Sequence, residues 1–124
     1  AWIWPTETLC PDGPLAACQL ASMAAKRPLS ERAAAVETYP IERGNIETDE
    51  KRAVMAALTE RVQDRYGEVS TLDGVRVDLG DGWFLIRASG TQPLIRITAE
   101  ARTERRASGL FEEAKSLLEA VRDE

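Results

Sequence analysis

Arg87 and Arg96 stand nine residues apart in the stretch IRASGTQPLIRI, and the turn between them holds Ser89, Gly90 and Thr91. These residue types suit an anion. A guanidinium carries a planar fork of donors that can meet a phosphate in a bidentate way, which an ammonium cannot. Ser89 and Thr91 add hydroxyl donors, and Gly90 has no side chain to keep a ligand from the backbone N–H groups. Successive N–H groups that converge in a turn make an anion-binding concavity. Each charge-assisted hydrogen bond contributes about 1.5–3 kcal/mol, so three or four can hold a phosphate on an otherwise acidic chain.

The remaining composition narrows the chemistry. The formal net charge is −5, which works against non-specific nucleic-acid binding because that depends on neutralising phosphates with Lys and Arg. There is no histidine in the 124 residues, so the chain supplies neither a His general base nor a His-containing metal site. Cys10 and Cys18 read as two ordinary thiols of a reducing compartment. The loop is not a nucleotide P-loop, since it lacks the Gly-Lys-Ser/Thr ending and joins two strands instead of opening a helix. A hairpin turn with surface arginines is the plainer alternative.

The loop needs elements to hold it. In LIRITAEA, Ile95, Ile97 and Ala99 alternate with Arg96, Thr98 and Glu100, so a strand over 94–101 points Arg96 away from the core. Strands are also expected at about 68–72, 75–79 and 83–87, the first two around the Asp73-Gly74 turn. Upstream, Thr48 with Asp49 and Glu50 signals a helix start. Met55, Leu58, Val62 and Tyr66 give that helix an apolar face, and Gly67 ends it. A last helix over 103–122 puts Leu110, Ala114, Leu117, Leu118 and Val121 on one side. The charge runs TERRA and VRDE read as solvated helix faces.

Before residue 38 the pattern is helical. Asp12 or Gly13 caps and Pro14 starts a helix reaching about Ala25, and Ser30 opens a shorter one to about Val36. TYPIERGNIE, over 38–47, reads as a linker running into an edge strand because Pro40 and Gly44 interrupt it. The whole is an α+β chain: an antiparallel sheet with helices on one face, preceded by a helical segment. Trp2, Trp4 and Trp83 show no cofactor pattern and read as packing residues.

With 44% hydrophobic residues the chain can bury a core, and no apolar run approaches the roughly 20 residues that span a bilayer. No membrane association and a cytoplasmic location are expected. The chain opens in an apolar phrase, AWIWP, without an initiator Met, which reads as a fragment.

RASGTQPLIRITAEA closely resembles the phosphate-binding signature of the α-D-phosphohexomutases, the family of phosphoglucomutase, phosphomannomutase and phosphoglucosamine mutase. That pattern runs approximately Arg-Pro-Ser-Gly-Thr-Glu-Pro into a strand containing Arg. Ala88 replaces the Pro and Gln92 the Glu, and without Pro the loop is less rigid. TLCPDGPLAACQLASMAA resembles the end of the family's third domain, and NIETDEKRAVMAAL the start of its fourth.

The resemblance implies that residues 1–37 are the tail of the third, α/β domain. Residues 38–124 are then the fourth, a TATA-binding-protein-like module. It further implies an isomerase that moves phosphate within a hexose phosphate through a phosphoserine. Arg87, Ser89, Gly90 and Thr91 would grip the phosphate that is not transferred, with Arg96 assisting. The phosphoserine, the Mg2+ loop and the sugar-recognition loop would belong to missing N-terminal domains, so this chain alone binds no metal and is inactive. The segment 38–44 would be the hinge by which the fourth domain closes over a sugar phosphate. The sequence leaves open which hexose is used. A free-standing anion-binding or regulatory module is the alternative from another class. A sheet that binds nucleic acid is a weaker third, disfavoured by the charge and by the lack of an aromatic stripe.

Overall fold

The computed structural model describes residues 2–67 and 69–123, and the chain divides into two compact units, 1–38 and 39–124. The first unit holds α1 (Gly13–Lys26) and α2 (Leu29–Ala34). Asp12 caps α1, its Oδ1 accepting the Leu15 N–H at 2.8 Å, and Pro14 sits in the first turn where no N–H is needed. None of the unit's described residues is buried. Trp2 and Trp4 therefore lean on each other, ring centroids 6.1 Å apart, instead of entering a core, and Trp2 remains 54% exposed. Cys10 and Cys18 are free and exposed.

The second unit runs β1 (Ile41–Glu47), α3 (Lys51–Tyr66), β2 (Val75–Asp78), β3 (Gly82–Ala88), β4 (Leu94–Ala101) and α4 (Glu104–Arg122). Its strands form one antiparallel sheet in the order β1-β4-β3-β2. Period-2 alternation decides which face is covered. Val75, Ile86, Ile97 and Gly44 lie in one cross-strand row, and Phe84, Ile95 and Ala99 flank them on the same face. Both helices cover that face. Tyr66 of α3 meets Phe84 edge-on at 5.8 Å, and Gly44 lies so close under Phe111 of α4 that a Cβ there would stand 2.6 Å from the ring. Val54, Leu58 and Val62 of α3 join Leu110, Ala114, Leu117, Leu118 and Val121 of α4 in the buried core. Each large side chain so buried contributes about 1.5–3 kcal/mol.

Several expectations need correction. The strand foreseen at 68–72 is a single bridge, Ser70 to Arg76, while Glu68 lies outside the described residues. Pairing stops there because the chain must turn at once through Gly74, whose φ of 91° and close approach to the Ile86 carbonyl admit only glycine. Thr48 does not cap α3. Its Oγ1 accepts the Glu50 N–H at 3.2 Å, which closes a turn, and the helix begins at Lys51 without a side-chain cap.

The edge strand expected within 38–47 is β1, an outer strand of the sheet, and it takes up part of the expected 38–44 linker. Ile41 to Gly44 are paired with Glu100 to Ile97, and the Pro40 carbonyl already accepts the Ala101 N–H at 3.2 Å. TERRA is more than a solvated face, since Arg106 reaches Asp81 with two hydrogen bonds of 2.9 and 3.1 Å and fastens the start of α4 to the β2–β3 turn. Within VRDE, Val121 is buried, and Glu124 lies outside the described residues. No helix among the described residues is long and apolar enough to cross a membrane.

Candidate functional site

The face of the sheet opposite the helices carries the polar half of each strand. Nearest the β3–β4 loop, Asn45, Arg96 and Arg87 form one cross-strand row. Arg43, Thr98, Leu85 and Arg76 form the next, followed by Ile41, Glu100, Trp83 and Asp78. Arginine therefore gathers at the loop end and carboxylate at the far end. Arg76 is already satisfied: it stacks 4.2 Å from the Trp83 ring centroid and lies 3.5 Å from Asp78. Trp83 packs on this open face and not in the core, its Nε1 donating to Glu100 at 3.2 Å.

Arg87 and Arg96 are direct register partners. Asp73 holds Arg87 through an ion pair of 2.7 Å, and Arg96 donates to the Gln92 side chain at 3.3 Å. Arg43, one row away, has no hydrogen-bond or ion-pair partner among the described residues. All three arginines, with Asn45 and Thr98, line one open cavity of about 450 Å³. Like charges directly across a strand pair are ordinarily unfavourable. An anion seated over them reverses that sign.

Ser89, Gly90 and Thr91 follow Ala88, the last residue of β3, in the connection, outside the residues that line the cavity. Ser89 is buried, at 5% exposure, and its Oγ accepts the Gln92 N–H at 3.3 Å, so its own hydroxyl proton is left to donate. Its backbone N–H continues the strand pairing, donating to the Leu94 carbonyl at 2.9 Å. Gly90 and Thr91 are exposed, and their N–H groups meet no acceptor among the described residues. Gly90 has neither a positive φ nor any atom within 4 Å of where a Cβ would stand. The fold itself does not require glycine there.

Three contributors, Arg43, Asn45 and Lys51, escaped the reading of the sequence. Arg43 and Asn45 alternate with Gly44 and Ile46 along β1, a signal that a period-2 reading of ERGNIE could have used. Lys51 sends its Nζ to the Ser89 carbonyl at 2.6 Å and the Gln92 carbonyl at 3.0 Å. Its signal was a cation at the first position of a helix, where the dipole favours carboxylates. Among the described residues no three Asp, Glu or Cys side chains gather as metal ligands.

Residues 44–117 match the family model described as phosphoglucomutase/phosphomannomutase, C-terminal domain. A probable phosphoglucosamine mutase of Methanopyrus kandleri is 44% identical over 98% of this chain and 29% of its own. One from Methanocella arvoryzae is 39% identical over 98% and 28%. The chain thus spans less than a third of the length of these curated relatives.

Among solved structures, a phosphoglucomutase/phosphomannomutase family protein of Burkholderia thailandensis superposes with a TM-score of 0.59 at 23% identity. It covers 75% of this chain and 20% of its own. Aspergillus fumigatus N-acetylphosphoglucosamine mutase, in complex with GlcNAc-6P and magnesium, gives 0.54 at 19%, over 78% and 18%. At these identities the two structures speak for the fold.

Proposed function

Because the chain belongs to the phosphoglucomutase/phosphomannomutase family, whose C-terminal domain its residues 44–117 match, we propose that residues 39–124 are the module that holds the phosphate a hexose-phosphate mutase does not transfer. The observation that carries this reading is the register pairing of Arg87 with Arg96, beside a loop whose Gly90 and Thr91 N–H groups meet no acceptor among the described residues. Two guanidinium groups and two free amides on one end of a sheet are the donors a phosphate monoester satisfies. Arg43 extends the same basic surface toward the sugar.

The work done here is positioning. A sugar that keeps one phosphate anchored can present its other end to a reacting group without being lost to solvent, which turns two encounters into one. The phosphoserine and the sugar-reading loop lie outside this chain in this reading, as do the residues that would hold Mg2+. The whole protein is then an isomerase acting on hexose phosphates. Amino sugars are the favoured class, in keeping with the phosphoglucosamine mutase name of the relatives cited above. Neither α1 nor α2 has a buried residue, which suits the tail of a preceding domain whose core is supplied elsewhere.

The test is a titration of the 124-residue chain with inorganic phosphate and with glucosamine 6-phosphate, followed through the Gly90 and Thr91 amide resonances. Saturable movement of both is expected. Resonances that stay still at high millimolar ligand overturn the reading.

A further inference from the structure

We infer that Lys51 is the positioning residue of the phosphate loop, an inference that rests on the phosphate reading above. Lys51 lies 38 and 41 residues from the two carbonyls it binds, Ser89 at 2.6 Å and Gln92 at 3.0 Å. It therefore ties the start of α3 across both ends of the Gly90-Thr91 tip. A second strap lies beside it, because the Thr48 N–H donates to the Pro93 carbonyl at 3.0 Å.

Peptide geometry turns this clamp into function. Among the described residues there are no cis peptide bonds, and in a trans, planar peptide the C=O and the following N–H point in opposite directions. With the Ser89 carbonyl drawn onto Lys51 Nζ, the Gly90 N–H of the same peptide unit is turned away from α3 and toward the unoccupied side of the loop. Lys51 thereby fixes which way a donor points before any anion arrives. This is the kind of preorganisation that keeps a binding group from losing entropy on contact.

Nothing in α3 itself explains the residue. A cation in the first turn opposes the helix dipole, and the first turn of α3 contains no acid to offset it. The Ser89 and Gln92 carbonyls supply the missing compensation. The absence of a Pro at position 88 sharpens the need, because nothing covalent stiffens that end of the loop.

The experiment compares the wild-type 124-residue chain with Lys51→Met and Lys51→Arg, titrated with inorganic phosphate and followed by the Gly90 and Thr91 amides, alongside thermal melts. Removing the clamp is expected to raise the phosphate Kd about tenfold, the order of one charge-assisted interaction. It should also speed hydrogen exchange at Gly90 in the phosphate-free chain. Lys51→Arg should recover most of both, since its donors reach the same carbonyls. A merely structural Lys51 would lower the melting temperature while leaving the Kd, measured well below it, unchanged.

Should Lys51→Met fail to fold, Lys51→Gln carries the same comparison without the charge. A wild-type chain that binds phosphate and a Met variant that binds it equally well, with equal exchange at Gly90, overturn the role of Lys51 alone. A wild-type chain that does not respond overturns this inference together with the phosphate reading.

Discussion

Arg87 and Arg96 face each other directly across β3 and β4, two like charges in one cross-strand pair on the open side of the sheet. A sheet optimised for its own stability would avoid that pair. Asp73 neutralises Arg87 from the side, at 2.7 Å, whereas among the described residues Arg96 has only the neutral Gln92 side chain, at 3.3 Å. The uncompensated member is thus Arg96. Arg96→Gln should leave the melting temperature of the phosphate-free chain unchanged or slightly raised. The same change should weaken phosphate binding about 10- to 100-fold, the equivalent of about 1.5–3 kcal/mol. Melts with and without phosphate read both effects, and a variant that loses stability but keeps its affinity would contradict the assignment.

Gly90 offers a cleaner separation of folding from binding. Its backbone is not in the left-handed region, and a Cβ there would meet no atom within 4 Å. Gly90→Ala should therefore keep or raise stability, by up to about 1 kcal/mol through the unfolded chain. Phosphate affinity should fall nonetheless, because the new methyl stands beside the amide a ligand must approach. Denaturant midpoints paired with phosphate titrations check the opposite signs. A loss of stability with affinity intact would place the requirement for glycine in the fold.

Gly44 behaves in the other way. Its missing side chain makes room for the Phe111 ring, which a Cβ would crowd at 2.6 Å. Gly44→Ala should cost about 1–3 kcal/mol as overpacking, and Gly44→Ala combined with Phe111→Leu should recover part of that loss. Urea midpoints of the single and double variants decide it. Additive losses in the double variant would show that the two positions do not share the strain.

What the sequence revealed, and what it hid, follows from the range of each signal. Leu94 to Ala101 was legible as a strand with Arg96 outward because alternation is local, and the same alternation in β1 was obscured by Pro40 and Gly44. Leu110 to Val121 was legible because five apolar positions repeat at helical spacing. By contrast, Lys51 reaches carbonyls that α3, β2 and β3 separate from it in the chain, and no local pattern encodes such a distance. The strand foreseen at 68–72 failed through a long-range cause as well, the approach of Gly74 to the Ile86 carbonyl. Arg43 became part of the site only when β1 took its place beside β4, a pairing between segments about fifty residues apart.

Tyr66 links the two helices and gives the fold a pH signature. Its hydroxyl donates to Glu113 at 2.6 Å, and Glu113 also pairs with Arg65 at 2.9 Å. The phenol is pushed up to about 12, first by burial, then by the hydrogen bond to Glu113 and that carboxylate's negative charge, with Arg65 opposing. The folded state therefore holds this proton more tightly than the unfolded one, whose phenol titrates near 10. Its contribution is fully present below pH 10 and is lost as the pH rises from 10 through 12. Tyr66→Phe should be less stable than wild type by about 1 kcal/mol at pH 8, the worth of one hydrogen bond. Above pH 10 the two stability curves should converge, since the two proteins differ only in this phenol. Urea midpoints taken between pH 8 and 12 test this, and curves that run parallel over the whole range would rule out Tyr66 as the source.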